Sequence, residues 1–166
     1  MRQLKNPNLK HTDLPGWCLR FVRNAFGVSS KWDYAWQSWE ASPTKHTDGL
    51  PSDVCVPVWF TWTGTIDGVK RNWGDVAVWV PGSGVFGTPL KGGGNGSRWW
   101  PSVEERARAI GGGAQYVGWT EDVNGVRVVE PSPPPQPAPA PAPPPSKQLS
   151  DYSTDELVKE LVRRYK

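Results

Sequence analysis

A chain of 166 residues is long enough for one domain with its own hydrophobic core, and too short for two of ordinary size plus linkers. Its formal charge of +3 comes from basic residues spread among acids rather than gathered in a block, which does not call for nucleic acid as a partner. No apolar run of signal-peptide length follows Met1 and no stretch approaches the ~20 apolar residues of a membrane span, so the expectation is a protein made in a cytoplasm with no membrane span.

The first predicted element is a helix over residues 18–26, where Leu19, Val22, Ala25 and Phe26 are spaced for one buried face, Pro15-Gly16 precedes and Gly27 ends the pattern. A second helical pattern covers 32–39. From Val54 the character turns to β, with strands expected over 54–62, 75–80, 85–88, 116–120 and 126–129, each bounded by Gly, Pro or Asn. Between them, residues 102–110 read as a helix with Ser102 as N-cap and Glu104-Glu105 in its first turn. Residues 64–73 and 92–100 are left as long loops, a place where function often sits. Helices first and an antiparallel sheet afterwards make an α+β domain, assigned to residues 1–130. Residues 131–147 form a Pro/Ala-rich linker of polyproline II character. Residues 148–166 form a short amphipathic helix opening at Ser153-Thr154-Asp155-Glu156, with Leu157, Val158, Leu161, Val162 and Tyr165 on one face. Such a helix is marginal alone and is expected to dock on a partner, on its own domain or on a copy of itself. Lys10-His11-Thr12-Asp13-Leu14-Pro15 and Lys45-His46-Thr47-Asp48-Gly49-Leu50-Pro51 nearly repeat, but nothing around them matches and they read as two unrelated polar loops.

Cys18 and Cys55 lack the C-x-x-C spacing of a zinc knuckle or thioredoxin site. A cysteine opening a helix has its thiolate favoured by the helix dipole, so Cys18 is a candidate nucleophile; the plain alternative is a small core residue. Cys55, inside an apolar run, reads as an inert buried thiol. Eleven tryptophans are too many for one small core, and some are expected to line a groove whose flat aromatic walls suit sugars and flat polymers.

The segment Pro15-Gly16-Trp17-Cys18-Leu19-Arg20-Phe21-Val22 resembles the nucleophile helix of the CHAP domains, the cysteine, histidine-dependent amidohydrolases/peptidases of phage lysins. Asn72-Trp73-Gly74-Asp75-Val76-Ala77-Val78-Trp79 is similar to their central strand, where members read Gly-His-Val-Ala-Val, and the stretch from Tyr116 to Val129 is similar to their C-terminal end. The resemblance implies a papain-like fold, N-terminal helices packed on an antiparallel sheet, in which the cysteine attacks an amide of peptidoglycan, a histidine takes the proton and a polar residue orients the histidine. Cys18 matches the nucleophile. Trp17, Trp73 and Trp119, which stand in these segments, are the expected substrate-binding residues, and only Thr88 offers itself as the polar third residue.

The histidine position falls on Asp75. A carboxylate with an ordinary pKa of about 4 is a poor base at neutral pH, and its charge would raise the thiol pKa rather than lower it. One rescue brings His46 or His11 into the cleft; another joins Asp75 and Cys18 with Glu121 or Asp122 in a metal site, although no ligand cluster marks the sequence. No cofactor or metal is expected. Three functions follow: a peptidoglycan-directed homologue with impaired chemistry that serves as a wall-binding or virion-associated component, hung from an assembly through residues 150–166; an active phage lysin using Cys18; or a Trp-rich protein-binding module. The first two imply a phage protein made in its host's cytoplasm and acting at the cell wall or in the virion.

Overall fold

β-branched and aromatic residues dominate the middle of the chain and set its extended segments. A computed structural model of the protein describes residues 1–131 and 153–164. The chain divides into two units, Met1–Ser132 and Pro133–Lys166.

In the first unit the strands are β1 (Arg2–Gln3), β2 (Lys45–His46), β3 (Val56–Phe60), β4 (Thr63–Ile66), β5 (Val69–Asn72), β6 (Asp75–Val80), β7 (Gly84–Gly87), β8 (Arg98–Trp100), β9 (Tyr116–Thr120), β10 (Asp122–Val123), β11 (Val126–Arg127) and β12 (Val129–Glu130). The helices are α1 (Cys18–Ala25), α2 (Ala35–Ala41) and α3 (Val103–Ile110). Six strands form one antiparallel sheet in the order β2-β9-β3-β6-β7-β8. The unit is therefore mixed, with few helices and a mostly antiparallel sheet, as the α+β reading has it. Every residue of β3 and the first four of β6 are buried, which fits their place at the centre of the sheet. α1 packs on β6 and β7, α2 on β6, and α3 on β7, β8 and β9.

Helix α1 buries Leu19, Phe21, Val22 and Ala25 against the sheet, the face its spacing predicts. Ser102 caps α3 by accepting the Glu105 amide at 3.2 Å, with Glu104 and Glu105 in the first turn. Helix α2 starts three residues later than the pattern from Trp32 suggests, because its N-cap Tyr34 is extended and the Trp36 amide is taken by the Trp73 carbonyl at 2.9 Å.

The structure departs from the expected loops in one place that matters for the site. Residues 64–73 are no open loop: β4 and β5 pair from Thr63↔Asn72 to Ile66↔Val69 around a two-residue Asp67-Gly68 turn with φ of 48° and 78°. Asp-Gly between β-branched residues is a strong hairpin signal, and both central residues of such a turn need positive φ. Likewise 98–100, within the second expected loop, join the sheet edge as β8. The strand expected over 126–129 divides into β11, paired with β10, and β12, paired with β1. Strands β1 and β2 were legible in no local pattern; each is two residues long and its partner lies more than seventy residues away in the chain. The two near-repeats sit differently, one carrying Asp13 on an isolated bridge to Gly96 and the other forming β2.

In the second unit, α4 (Thr154–Arg164) begins at the expected Ser153-Thr154 and leaves Val158, Leu161 and Val162 exposed. The proline-rich linker from residue 132 on, residues 148–152, Tyr165 and Lys166 lie outside the described residues. Among the described residues no helix is long and apolar enough to cross a membrane.

Candidate functional site

Trp17 ends the turn before α1 and Cys18 is the helix's first residue, so packing α1 on β6 carries Cys18 to the start of that strand, where Asp75 stands. Both line a groove of about 730 Å³. Around them are Trp17, Trp32, Tyr34, Trp62 and Trp73, with Ile66 from the β4–β5 hairpin and Thr88 just beyond β7. The hairpin is anchored over this side. Trp73 Nε1 donates to the Gly64 carbonyl at 3.0 Å, the Trp73 ring meets Tyr34 edge-on at 5.3 Å, and Arg71 lies 4.9 Å from the Trp73 ring and donates to the Tyr34 hydroxyl at 3.2 Å.

Cys18 is buried at the base of the groove. Burial pushes its thiol pKa far above the ordinary value, and the Asp75 charge together with a hydrogen bond to the Asp75 carboxylate pushes it further; the Val76 amide and the Arg106 charge oppose this without prevailing. A thiol held in its protonated form is the reverse of an activated nucleophile, which needs a cationic neighbour and a depressed pKa. The helix start supplies a favourable dipole to Cys18, but desolvation and the neighbouring carboxylate outweigh it.

Asp75 has a partner that sequence reasoning missed. Arg106, on α3, is completely buried; its Nε and Nη2 stand 2.8 and 2.7 Å from the same Asp75 oxygen, Oδ2. Its guanidinium also lies 4.3 Å from the Trp100 ring. Nε makes the hydrogen bond, Nη2 contributes an ion-pair contact without hydrogen-bond geometry, and neither Nη1 nor Nη2 has a hydrogen-bond partner among the described residues. Arginine at the fourth position of an amphipathic helix reads as a solvated side chain. The one signal was its place between Val103 and Ala107 on the buried stripe. A carboxylate committed to a buried guanidinium is a fixed charge pair rather than a base waiting for a proton.

Neither histidine lines the groove with Cys18. His46, the alternative base expected to fold into the cleft, stacks on Trp119 with ring centroids 3.9 Å apart, and its Nε2 is 3.1 Å from Glu121 Oε1. His11 packs on Phe21 at 5.4 Å. Trp119, expected beside Trp17 and Trp73 to hold substrate, is instead 5 % exposed, covered on one face by His46 and bonded through Nε1 to the Gly49 carbonyl at 2.8 Å. Trp17 and Trp73 do line the groove, and Trp17 is half exposed with Arg20 stacked 3.8 Å from its ring.

Glu121 and Asp122 are likewise engaged elsewhere. Glu121 pairs with His46 and Arg127, and Asp122 accepts from the Ser42 and Thr44 hydroxyls and from the Gly125 amide at 2.9 Å. Among the described residues no three His, Cys, Asp or Glu side chains are grouped to hold a metal ion. Cys55 is only partly buried, not fully as the apolar run suggested, and its amide donates to Gln3 Oε1 at 2.7 Å.

Compared with family models, curated proteins and solved structures, the chain matches none of them.

Proposed function

We propose that Met1–Ser132 is a CHAP-like, papain-like peptidoglycan-directed domain whose hydrolytic chemistry is impaired and which acts by binding, as a wall-binding or virion-associated component of a phage. The observation that carries this reading is the Cys18–Asp75–Arg106 cluster at the base of an aromatic groove. The two positions that the sequence aligns with nucleophile and histidine are adjacent in space, which supports the alignment. What occupies them is a protonated thiol against a carboxylate already paired with a buried cation. A buried thiol beside a carboxylate is a poor nucleophile, and no histidine lines the groove to serve as its base. The surrounding walls keep what binding requires: a concave site with several aromatic faces and a few polar groups. On this reading the protein is made in its host's cytoplasm and α4, with the rest of residues 150–166, tethers it to a structural partner.

The test is co-sedimentation of the full chain with purified Gram-positive peptidoglycan, beside a Trp17→Ala variant. Trp17 is 49 % exposed, so its loss leaves the core intact. Losing one stacking face weakens retention several-fold, as expected for about 0.5–1.5 kcal/mol. No retention of the native chain by walls would overturn the proposal and favour a protein partner for the aromatic groove.

A further inference from the structure

Helix α1 turns two arginines, Arg20 and Arg23, toward the groove. Arg20 is taken: its Nε donates to Asp13 Oδ2 at 2.9 Å and its guanidinium lies over Trp17. Arg23 is half-buried on the groove wall, and the structure gives it no ion pair or side-chain hydrogen bond among the described residues. Of the acids that line the groove, Asp75 is spent on Arg106 and only the exposed Asp33 remains, against Arg23 and the exposed Lys91. The helix dipole accounts for a cation in the last turn of α1. It does not by itself account for a guanidinium placed on an aromatic wall and paired with no side chain among the described residues. A planar fork of N–H donors in partly desolvated surroundings matches a carboxylate, which it can hold through two parallel bonds.

We infer that the groove selects wall polymer bearing free carboxylates, Arg23 receiving the carboxylate while Trp17, Trp32, Tyr34 and Trp73 take the flat apolar faces of the strand. This rests on the wall-binding reading above and adds a selectivity to it: peptidoglycan whose peptides carry free carboxylates binds, and the same polymer with those groups amidated binds weakly. The aromatic walls supply contact area indifferent to charge, so the carboxylate contact decides between the two walls.

The experiment uses the full chain and one peptidoglycan preparation divided in two, one half treated with a carbodiimide and ammonia so that its carboxylates become amides. Native protein binds the untreated half about tenfold more tightly, the loss expected when one charge-assisted pair is removed. Arg23→Gln binds both halves with the affinity the native chain has for the amidated one. Arg23→Lys keeps the charge without the fork and recovers part of the difference. The native preference shrinks as salt is raised. Equal native binding to both halves overturns the inference and leaves wall binding standing; binding to neither overturns wall binding itself. An Arg23→Gln chain that retains the full native preference assigns the carboxylate to another residue and also overturns the role of Arg23. Circular dichroism checks that both variants fold, and the comparison of the two halves by the native chain needs no variant.

Discussion

Removing the Arg106 guanidinium strands a carboxylate. In Arg106→Leu, Asp75, whose side chain is only 12 % exposed, loses both nitrogens that stand within 2.8 Å of its Oδ2. Breaking a buried pair from one side costs about 3–5 kcal/mol, because the remaining charge stays desolvated. Loss of the guanidinium stacked 4.3 Å from Trp100 adds to it. Asp75→Asn strands the opposite charge, on an arginine with no exposed surface, and carries a similar cost. The double variant Asp75→Asn/Arg106→Leu leaves neither charge behind, so its cost falls well below the sum of the singles, with a coupling of about 2 kcal/mol or more. All eleven tryptophans lie between residues 17 and 119, so tryptophan fluorescence during urea unfolding of the full chain reports this unit. Each single variant also melts roughly 10–25 °C lower, at about 3–5 °C per kcal/mol for a domain of this size. Additive singles, or an Arg106→Leu variant within about 1 kcal/mol of native, would refute the reasoning that Asp75 is held by a buried ion pair.

Four further outcomes follow from the same geometry. Iodoacetamide at pH 8 labels Cys55 slowly and leaves Cys18 untouched until the chain is unfolded, as peptide mass mapping will read; prompt native labelling of Cys18 would contradict a protonated, buried thiol. Because the folded state holds the Cys18 proton more tightly than the unfolded one, the thiol's contribution to stability is complete below the ordinary thiol pKa of about 8.5 and is lost as pH rises beyond it. The alkaline fall in melting temperature is therefore shallower in Cys18→Ala. Ser102→Ala removes the cap on α3 and lowers stability by about 1 kcal/mol in urea titration. Gly118→Ala places a Cβ 2.2 Å from the His46 carbonyl oxygen at a backbone φ of 137°, so it displaces β2 and exposes the Trp119 face, visible as a shift in emission wavelength.

Local patterns carried much of this fold. The apolar spacing of α1, the cap at Ser102 and the β-branched runs of β3, β6 and β9 are short-range signals, and each predicted element appears within a few residues of its place. The Asp67-Gly68 turn is an equally local signal, yet its glycine-rich polar surroundings mask the two four-residue strands that it joins. Strands β1 and β2 have no local signature, because their hydrogen bonds come from partners distant in the chain. The same division holds for the site. Cys18 and Asp75 stand in segments that the sequence singles out, and the structure sets them side by side, whereas Arg106 acquires meaning only when α3 brings it to β6. The tryptophans could not be sorted from sequence either: Trp17 and Trp119 are the same residue type, and only tertiary contacts make one a groove wall and the other a core residue.

The central claim is that the aromatic groove lined by Cys18 and Asp75 binds peptidoglycan without hydrolysing it. It is tested most directly by adding native protein and Cys18→Ala to a turbid suspension of purified Gram-positive peptidoglycan and following its clearing. The account predicts that neither clears the suspension and that the two traces coincide; clearing by the native chain that Cys18→Ala abolishes would contradict it.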